Sequence, residues 1–155
     1  MKFNACVVQT PLGHDCQGLF SKEVCAIVVL RGGAAFETAL KRIIPDCRTG
    51  RMLIQSHTAT GEPALHYLKL PHDIESYDGV LLLDAQMSGG GSALMAIQVL
   101  LDHGVTQNKV VFVTYTAGKA GLHRLTTVFP DIIVVVCNIL SEAQPRWVEG
   151  RYFRC

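Results

Sequence analysis

The sequence predicts an α/β protein with a doubly wound, mainly parallel sheet and a β-hairpin flap. Three times an apolar, β-type run is followed by a glycine-containing turn and then by a helical pattern. Strands that alternate with single helices are typical of parallel sheets with right-handed crossovers. The 155 residues suit one core, and we expect a single domain over residues 1–155.

The first strand–turn–helix unit has a predicted strand over residues 25–30 and a predicted helix over 34–44, which Pro45 ends. Before it, residues 1–24 form a short N-terminal arm, in which turns separate short extended pieces. After it, residues 51–70 are expected to form a hairpin, because two β-type runs flank a polar turn that contains Gly and Pro.

The second unit contains the stretch around which the chain is organised. Residues 80–83 are wholly apolar, as expected of a strand buried on both faces of a parallel sheet. Asp84 follows at the carboxyl end of this strand, where open α/β sheets bind ligands. A glycine-rich loop over 88–92 comes next, and a helix is predicted from about residue 93 to residue 103.

The third unit has a strand over 110–114, a turn at 116–118 and a helix over 119–129, followed by a last apolar strand over 132–137. The C-terminal tail, residues 141–155, contains the only tryptophan of the chain. This tail is too apolar to stay free in water, so we expect it to pack on the domain or on a second subunit.

The glycine-rich loop has the parts of a phosphate cradle. Consecutive glycines let the backbone approach a ligand, and the following helix presents unpaired N–H groups and the positive end of its dipole. A turn that only connects strand to helix is the alternative, but the carboxylate of Asp84 just ahead favours a phosphate or sugar-phosphate site. The candidate binding residues are Ser88, Gly89, Gly90, Gly91 and Ser92.

Composition narrows the possible partners. The net charge is +1, with 14 basic and 13 acidic residues and no basic block, so we expect neither nucleic acid nor a membrane surface as a partner. The apolar runs are too short to span a bilayer and the N-terminus lacks a signal-peptide pattern, which favours a cytoplasmic protein. The six cysteines, among them Cys25 and Cys137 in expected core strands, indicate reduced thiols and no metal site.

Several motifs in order resemble the uracil phosphoribosyltransferase family. Residues 81–93 are similar to its phosphoribosyl-pyrophosphate motif, residues 30–33 to its Arg-Ala-Gly turn, and residues 62–71 to the far arm of its hairpin. The last residues, 150–153, resemble its closing segment. The resemblance covers nearly the whole chain, and the phosphoribosyltransferase-like domain of uridine kinase-like fusion proteins is the most similar variant.

This resemblance implies a type I phosphoribosyltransferase-like fold, a homodimer, and transfer of a 5-phosphoribosyl group from phosphoribosyl pyrophosphate to uracil, giving UMP and pyrophosphate. Asp84 is then expected to accept hydrogen bonds from the ribose hydroxyls, and the loop over 88–92 to hold the 5′-phosphate. Arg31 is expected to meet the pyrophosphate together with Mg²⁺ carried by the substrate. A surface arginine near a strand end is an equally good interpretation of Arg31.

The chain also departs from the family pattern. Gly89 stands in place of the threonine of the phosphate loop, and Ser56 in place of the hairpin arginine. The segment that reads uracil is shortened to residues 143–149, and the N-terminal helices are absent. The alternative function is therefore a catalytically impaired regulatory or dimerisation module that binds a nucleotide or sugar phosphate.

Two other nucleotide-binding classes fit the sequence poorly. The glycines are contiguous rather than spaced as GxGxxG, which argues against a dinucleotide-binding domain. No Gly-Lys-Ser/Thr follows the loop, which argues against a P-loop nucleoside triphosphatase.

Overall fold

A six-stranded sheet forms the centre of the protein in a computed structural model, which describes residues 3–21, 23–57 and 60–141. The described strands are β1 (Phe3–Gln9), β2 (Asp15–Ser21), β3 (Val24–Leu30), β4 (Arg48–Ser56), β5 (Pro63–Lys69), β6 (Gly79–Met87), β7 (Val110–Gly118) and β8 (Ile133–Leu140). The described α-helices are α1 (Ala34–Ile43), α2 (Gly91–Asp102) and α3 (Lys119–Val128).

The strand order is β5-β4-β3-β6-β7-β8, and every neighbouring pair is parallel except β4 with β5. The antiparallel pair is the hairpin expected over 51–70. Strands β1 and β2 pair with each other in a separate two-stranded sheet within the expected N-terminal arm. The predicted mainly parallel α/β sheet with a hairpin is confirmed. The single domain over 1–155 stays a prediction.

The central strand is buried on both faces, as predicted. Val80 and Leu82 belong to the larger core, which includes buried residues of α2 and α3. Leu83 belongs to the smaller core, against which Phe36 and Leu40 of α1 pack. Because successive side chains of a strand point to opposite faces, β6 contributes to the core on each face of the sheet.

Three predictions about the ends of elements were wrong. Strand β6 does not end at residue 83 but continues to Met87, because its last residues pair with β7. Residues 116–118 are not a turn but the end of β7, and α3 begins directly at Lys119. The helix expected from about residue 93 begins two residues earlier, at Gly91. For β6 and β7, pairing with the neighbouring strands extends each strand beyond what the local sequence pattern indicates.

Strand β8 differs from the expectation of a core strand. It lies at the edge of the sheet, and Cys137 is exposed rather than buried, whereas Cys25 is fully buried as predicted. Cys137 lies on the same face of β8 as Ile133 and Val135, and α1 packs mainly on β3 and β6 of that face, so composition alone did not reveal the exposure of Cys137.

The longest described helix, α2, has 12 residues. No helix within 3–21, 23–57 and 60–141 combines the length and the apolar character that a bilayer crossing requires. The tail beyond Ser141, with the shortened segment over 143–149, lies outside the described residues.

Candidate functional site

A cleft of about 800 Å³ opens at the carboxyl ends of the central strands β3 and β6. From β3 the chain crosses by α1 to β4 on one side, and from β6 it crosses by α2 to β7 on the other. Such a reversal of direction leaves a crevice between the two strands, which is where open α/β sheets bind ligands. Lining residues from β6 and the following loop include Asp84 and the whole glycine-rich loop over 88–92. The structure therefore brings these predicted site residues together.

The glycine-rich loop requires glycine at one position, Gly90. Gly90 precedes α2 with φ +82°, in the left-handed region. No described side chain caps α2, and its first regular bond runs from the Leu94 N–H to the Gly90 carbonyl. The N–H groups at the start of the helix are therefore available to a ligand in the cleft. Within the loop, the Gly89 N–H donates to Ser88 Oγ over 2.7 Å.

The start of α3 supports this loop from behind. A Cβ on Gly121 would lie 2.1 Å from the Ser88 carbonyl oxygen, and one on Gly118 would lie 3.0 Å from the same oxygen. Both backbones approach closely because neither glycine has a side chain. No sequence pattern indicated this role for either residue, because α2 and most of β7 separate these glycines from Ser88 along the chain.

The turn after β3 lies against β6 beside Asp84. A Cβ on Gly33 would lie 2.3 Å from the Leu83 carbonyl oxygen, and one on Gly32 would lie 2.9 Å from Ala85 Cβ. Gly32 lines the cleft, but the preceding Arg31 is exposed and does not belong to the lining. The Leu30–Arg31 peptide bond is cis. The structure thus places Arg31 next to the site rather than in it.

Asp84 brings a partly buried carboxylate into the cleft. Burial raises its pKa to about 6, and hydrogen bonds from the backbone of Ala85 and Gln86 oppose this rise only in part. At neutral pH the group therefore carries a charge that is poorly solvated. A ligand that donates hydrogen bonds would stabilise this charged form.

The hairpin closes one side of the cleft. Ile54 and Ser56 of β4 and Gly61 of the turn belong to the lining, and the Pro63 ring lies 3.8 Å from the position of a Cβ on Gly91. Ser56, which the resemblance aligns with the hairpin arginine of the family, thus lines the cleft.

Arg124 is a lining residue that no sequence pattern indicated. It belongs to α3, and its Nη1 donates a hydrogen bond to the Gly89 carbonyl oxygen over 3.2 Å. Arg124 lies in an amphipathic helix with no local motif, so its place in the cleft is recognisable only from the packing of α3 against the loop.

Comparisons with known proteins agree with this geometry. The family model described as uracil phosphoribosyltransferase matches residues 1–145. The chain is 40% identical to uridine-cytidine kinase-like 1 of Mus musculus over 90% of this chain and 26% of that protein. It is 34% identical to a uracil phosphoribosyltransferase of Dictyostelium discoideum over 92% of this chain and 66% of that protein. The chain thus spans only about a quarter of the mouse relative.

Two solved structures show how widely the fold is shared. The AQ2163 protein from Aquifex aeolicus superposes with a TM-score of 0.78 at 23% identity, over 93% of this chain and 68% of that one. Orotate phosphoribosyltransferase from Aeropyrum pernix gives a TM-score of 0.54 at 14% identity, over 89% of this chain and 88% of that one. The sheet order, the position of the cleft and the match over residues 1–145 lead to one conclusion: the chain has the type I phosphoribosyltransferase fold and belongs to the uracil phosphoribosyltransferase family.

Proposed function

We propose that this chain binds phosphoribosyl pyrophosphate and transfers its 5-phosphoribosyl group to N1 of uracil, giving UMP and pyrophosphate. The single observation that carries the proposal is the convergence of the triglycine loop, the start of α2 and the Asp84 carboxylate on one cleft. The match to the family over residues 1–145 supports the same substrate class.

The cleft supplies a group for each part of the sugar phosphate. The N–H groups at the start of α2 and the hydroxyls of Ser88 and Ser92 are the candidate donors to the 5′-phosphate. Ser88 Oγ already accepts a bond from Gly89, and its own proton is left to donate. The Asp84 carboxylate is the candidate acceptor for the ribose hydroxyls.

Charge develops on the ribose as pyrophosphate departs. The anomeric carbon becomes positive, and a carboxylate held near the sugar stabilises that charge. The leaving pyrophosphate needs cations, and we assign these to Mg²⁺ carried by the substrate and to Arg31, which lies next to the cleft lining. The hairpin β4–β5 is the candidate lid that excludes water as a competing nucleophile.

A second candidate function is a catalytically impaired relative that binds a nucleotide or sugar phosphate for regulation or dimerisation. The observation that favours it is Ser56, which lines the cleft where the family has an arginine. Without that arginine, one cation is missing on the proposed pyrophosphate side.

One experiment separates the two candidates. The purified chain is incubated with phosphoribosyl pyrophosphate, Mg²⁺ and labelled uracil, and UMP is measured with and without a metal chelator. Mg²⁺-dependent formation of UMP supports the enzyme. If no UMP forms while calorimetry still detects binding of phosphoribosyl pyrophosphate, the enzyme assignment is wrong and the binding module stands.

We further propose that the chain forms a homodimer through the side of its sheet around β8 that the described helices leave largely uncovered. Val111 pairs with Ile133 and Val113 pairs with Val135, so these four side chains point to the same face of the sheet. Helix α1 packs on this face, but mainly against β3 and β6 rather than against β7 and β8. Ile133 and Val135 are 53% and 46% exposed. Strand β8 carries no charged residue, so a second copy meets no like-charge repulsion from that strand.

The proposed location is the cytoplasm. The four cysteines whose side chains are described are free thiols, and Cys25 and Cys47 among them are buried. Persistent free thiols are typical of a reducing compartment. Imaging of the tagged full-length protein in its own cell tests this, and a secreted signal would contradict it.

A further inference from the structure

Arg124 occupies a position that brings a cation to the phosphate loop. It lies three residues after Gly121 on α3, so both residues share one helix face. Gly121 is the residue whose missing side chain lets α3 approach the Ser88 carbonyl. The same approach places the Arg124 guanidinium 3.2 Å from the Gly89 carbonyl oxygen.

The guanidinium keeps most of its donors for a ligand. An arginine side chain has about five N–H groups, and the contact with the Gly89 carbonyl uses one of them. Arg124 takes part in neither of the two ion pairs formed among the described residues. Its side chain is exposed and lines the cleft, so its charge is open to an anionic ligand there.

Arg124 is also the one basic residue in the cleft lining of the described chain. The family's hairpin arginine is Ser56 here, and Arg31 lies beside the lining. A dianionic phosphate in the cleft therefore meets N–H groups, hydroxyls and this guanidinium. A guanidinium suits a phosphate because its planar donors match two phosphate oxygens.

We propose that Arg124 is a substrate-positioning residue, which fixes the glycine loop through the Gly89 carbonyl and donates its remaining N–H groups to the 5′-phosphate of the bound pentose. This inference rests on the proposed sugar-phosphate function. It adds a residue outside the glycine loop and supplies a cation on the 5′-phosphate side of the cleft, whereas the position of Ser56 lies on the proposed pyrophosphate side.

The test compares Arg124→Met, Arg124→Lys and the control Lys119→Met, which removes an exposed charge from the same helix outside the cleft lining. Calorimetry measures the affinity for ribose 5-phosphate, for ribose and for phosphoribosyl pyrophosphate at two salt concentrations. We expect Arg124→Met to weaken ribose 5-phosphate binding by about tenfold or more, which corresponds to one charge-assisted hydrogen bond. Lysine should restore part of the affinity, and the control should bind as the wild type does.

Two further measurements distinguish a role of Arg124 in binding from a merely structural role. The thermal midpoint of the unliganded Arg124→Met protein should stay close to that of the wild type, because the one hydrogen bond that the variant loses is solvent-exposed. The salt dependence of ribose 5-phosphate binding should become shallower when this charge is removed.

The outcomes also distinguish this inference from the proposed function. Equal ribose 5-phosphate affinity in wild type and Arg124→Met overturns the role of Arg124 alone. Binding that depends on Arg124 without formation of UMP overturns the enzyme but supports the inference. Failure of the wild-type protein to bind either phosphorylated probe overturns both.

Discussion

Asp84 carries a cost in stability that the proposed sugar ligand would offset. Its carboxyl group lies partly buried in the cleft, and burial raises its pKa to about 6 although two backbone N–H groups oppose the shift. An uncompensated charge in such a place destabilises the empty protein. Ribose hydroxyls would supply the missing donors, so the same charge would strengthen binding of the sugar.

Asp84→Asn should weaken binding of phosphoribosyl pyrophosphate by about tenfold or more, because a charged acceptor for hydroxyl groups is lost. Calorimetric titration without uracil measures this directly. The matched control is Asp78→Asn, which changes a carboxylate just before the same strand and outside the cleft lining. The Asp78 carboxylate accepts a hydrogen bond from the Glu23 N–H. Unchanged affinity in Asp84→Asn would remove Asp84 from the ribose role.

The titration of Asp84 should lower the stability of the empty protein as pH rises from about 4 to about 6. The folded state holds the proton up to a pKa of about 6, whereas the unfolded chain releases it near the ordinary value of 3.8. In this window the native state binds more protons, so the contribution of Asp84 to the free energy of unfolding decreases with pH and levels off above it.

Denaturant melts of wild type and Asp84→Asn at several pH values measure this contribution, because the amide of the variant does not titrate. The stability of Asp84→Asn relative to wild type should rise across the window and then stay level. A difference between the two proteins that does not change with pH would contradict the raised pKa.

At the scale of elements, the loop between β6 and α2 depends on α3 for its shape. The Ser88 carbonyl fills the space that a side chain on Gly121 would need, and Gly90 adopts a left-handed conformation beside the same helix. The contact is between backbones, which adjust less readily than flexible side chains. The glycine-rich loop is therefore held by packing as well as by its own glycines.

Gly121→Ala should destabilise the protein by about 1–3 kcal/mol, because the new Cβ would overlap the Ser88 carbonyl. Denaturant melts measure this change, and binding of phosphoribosyl pyrophosphate should weaken with it. The control is Gly89→Ala, where a Cβ meets nothing within 4 Å, and its stability should stay within about 0.5 kcal/mol of wild type. Equal stability of the two variants would show that α3 does not constrain the loop.

The hairpin offers a gain-of-function test. Ser56→Arg places a cation in the cleft lining, and phosphoribosyl pyrophosphate should bind about 3- to 10-fold more tightly, on the order of 1 kcal/mol. Gln55→Arg is the control, since alternate strand residues point to opposite faces and Gln55 is not in the lining. If both variants gain equally, the effect is one of net charge rather than of position.

For the whole molecule, the side of the sheet around β8 is a surface that the described helices leave largely uncovered. Tyr115, Ile133 and Ile139 are each more than half exposed. Exposed apolar residues that cluster on one sheet face are typical of an association surface rather than of free surface.

Val135→Lys should therefore convert the proposed homodimer into a monomer at micromolar concentration. A lysine on this face would lose apolar contact and bring like charges together across a two-fold interface. Light scattering after size-exclusion chromatography measures the mass. Ile43→Lys, at an exposed position of α1, is the control and should leave the mass unchanged. A monomeric wild type, or a dimeric Val135→Lys, would contradict the proposal.

Much of this protein follows from its sequence alone. Apolar runs, glycine turns and helical periodicity determined the alternation of strands and helices, because each pattern reflects local backbone geometry. The loop over 88–92 and Asp84 were recognised in the same way, since both lie within one short stretch. The ordered motifs were enough to indicate the family.

The tertiary structure decided the contacts between distant segments. Arg124 meets the Gly89 carbonyl across 35 residues of chain, and Gly121 supports Ser88 across a similar separation. Cys137 is exposed because β8 is the last strand of the sheet and α1 packs mainly on β3 and β6. Local patterns determine which elements form, but strand order and helix packing determine which side chains meet, and these depend on the free energy of the whole fold.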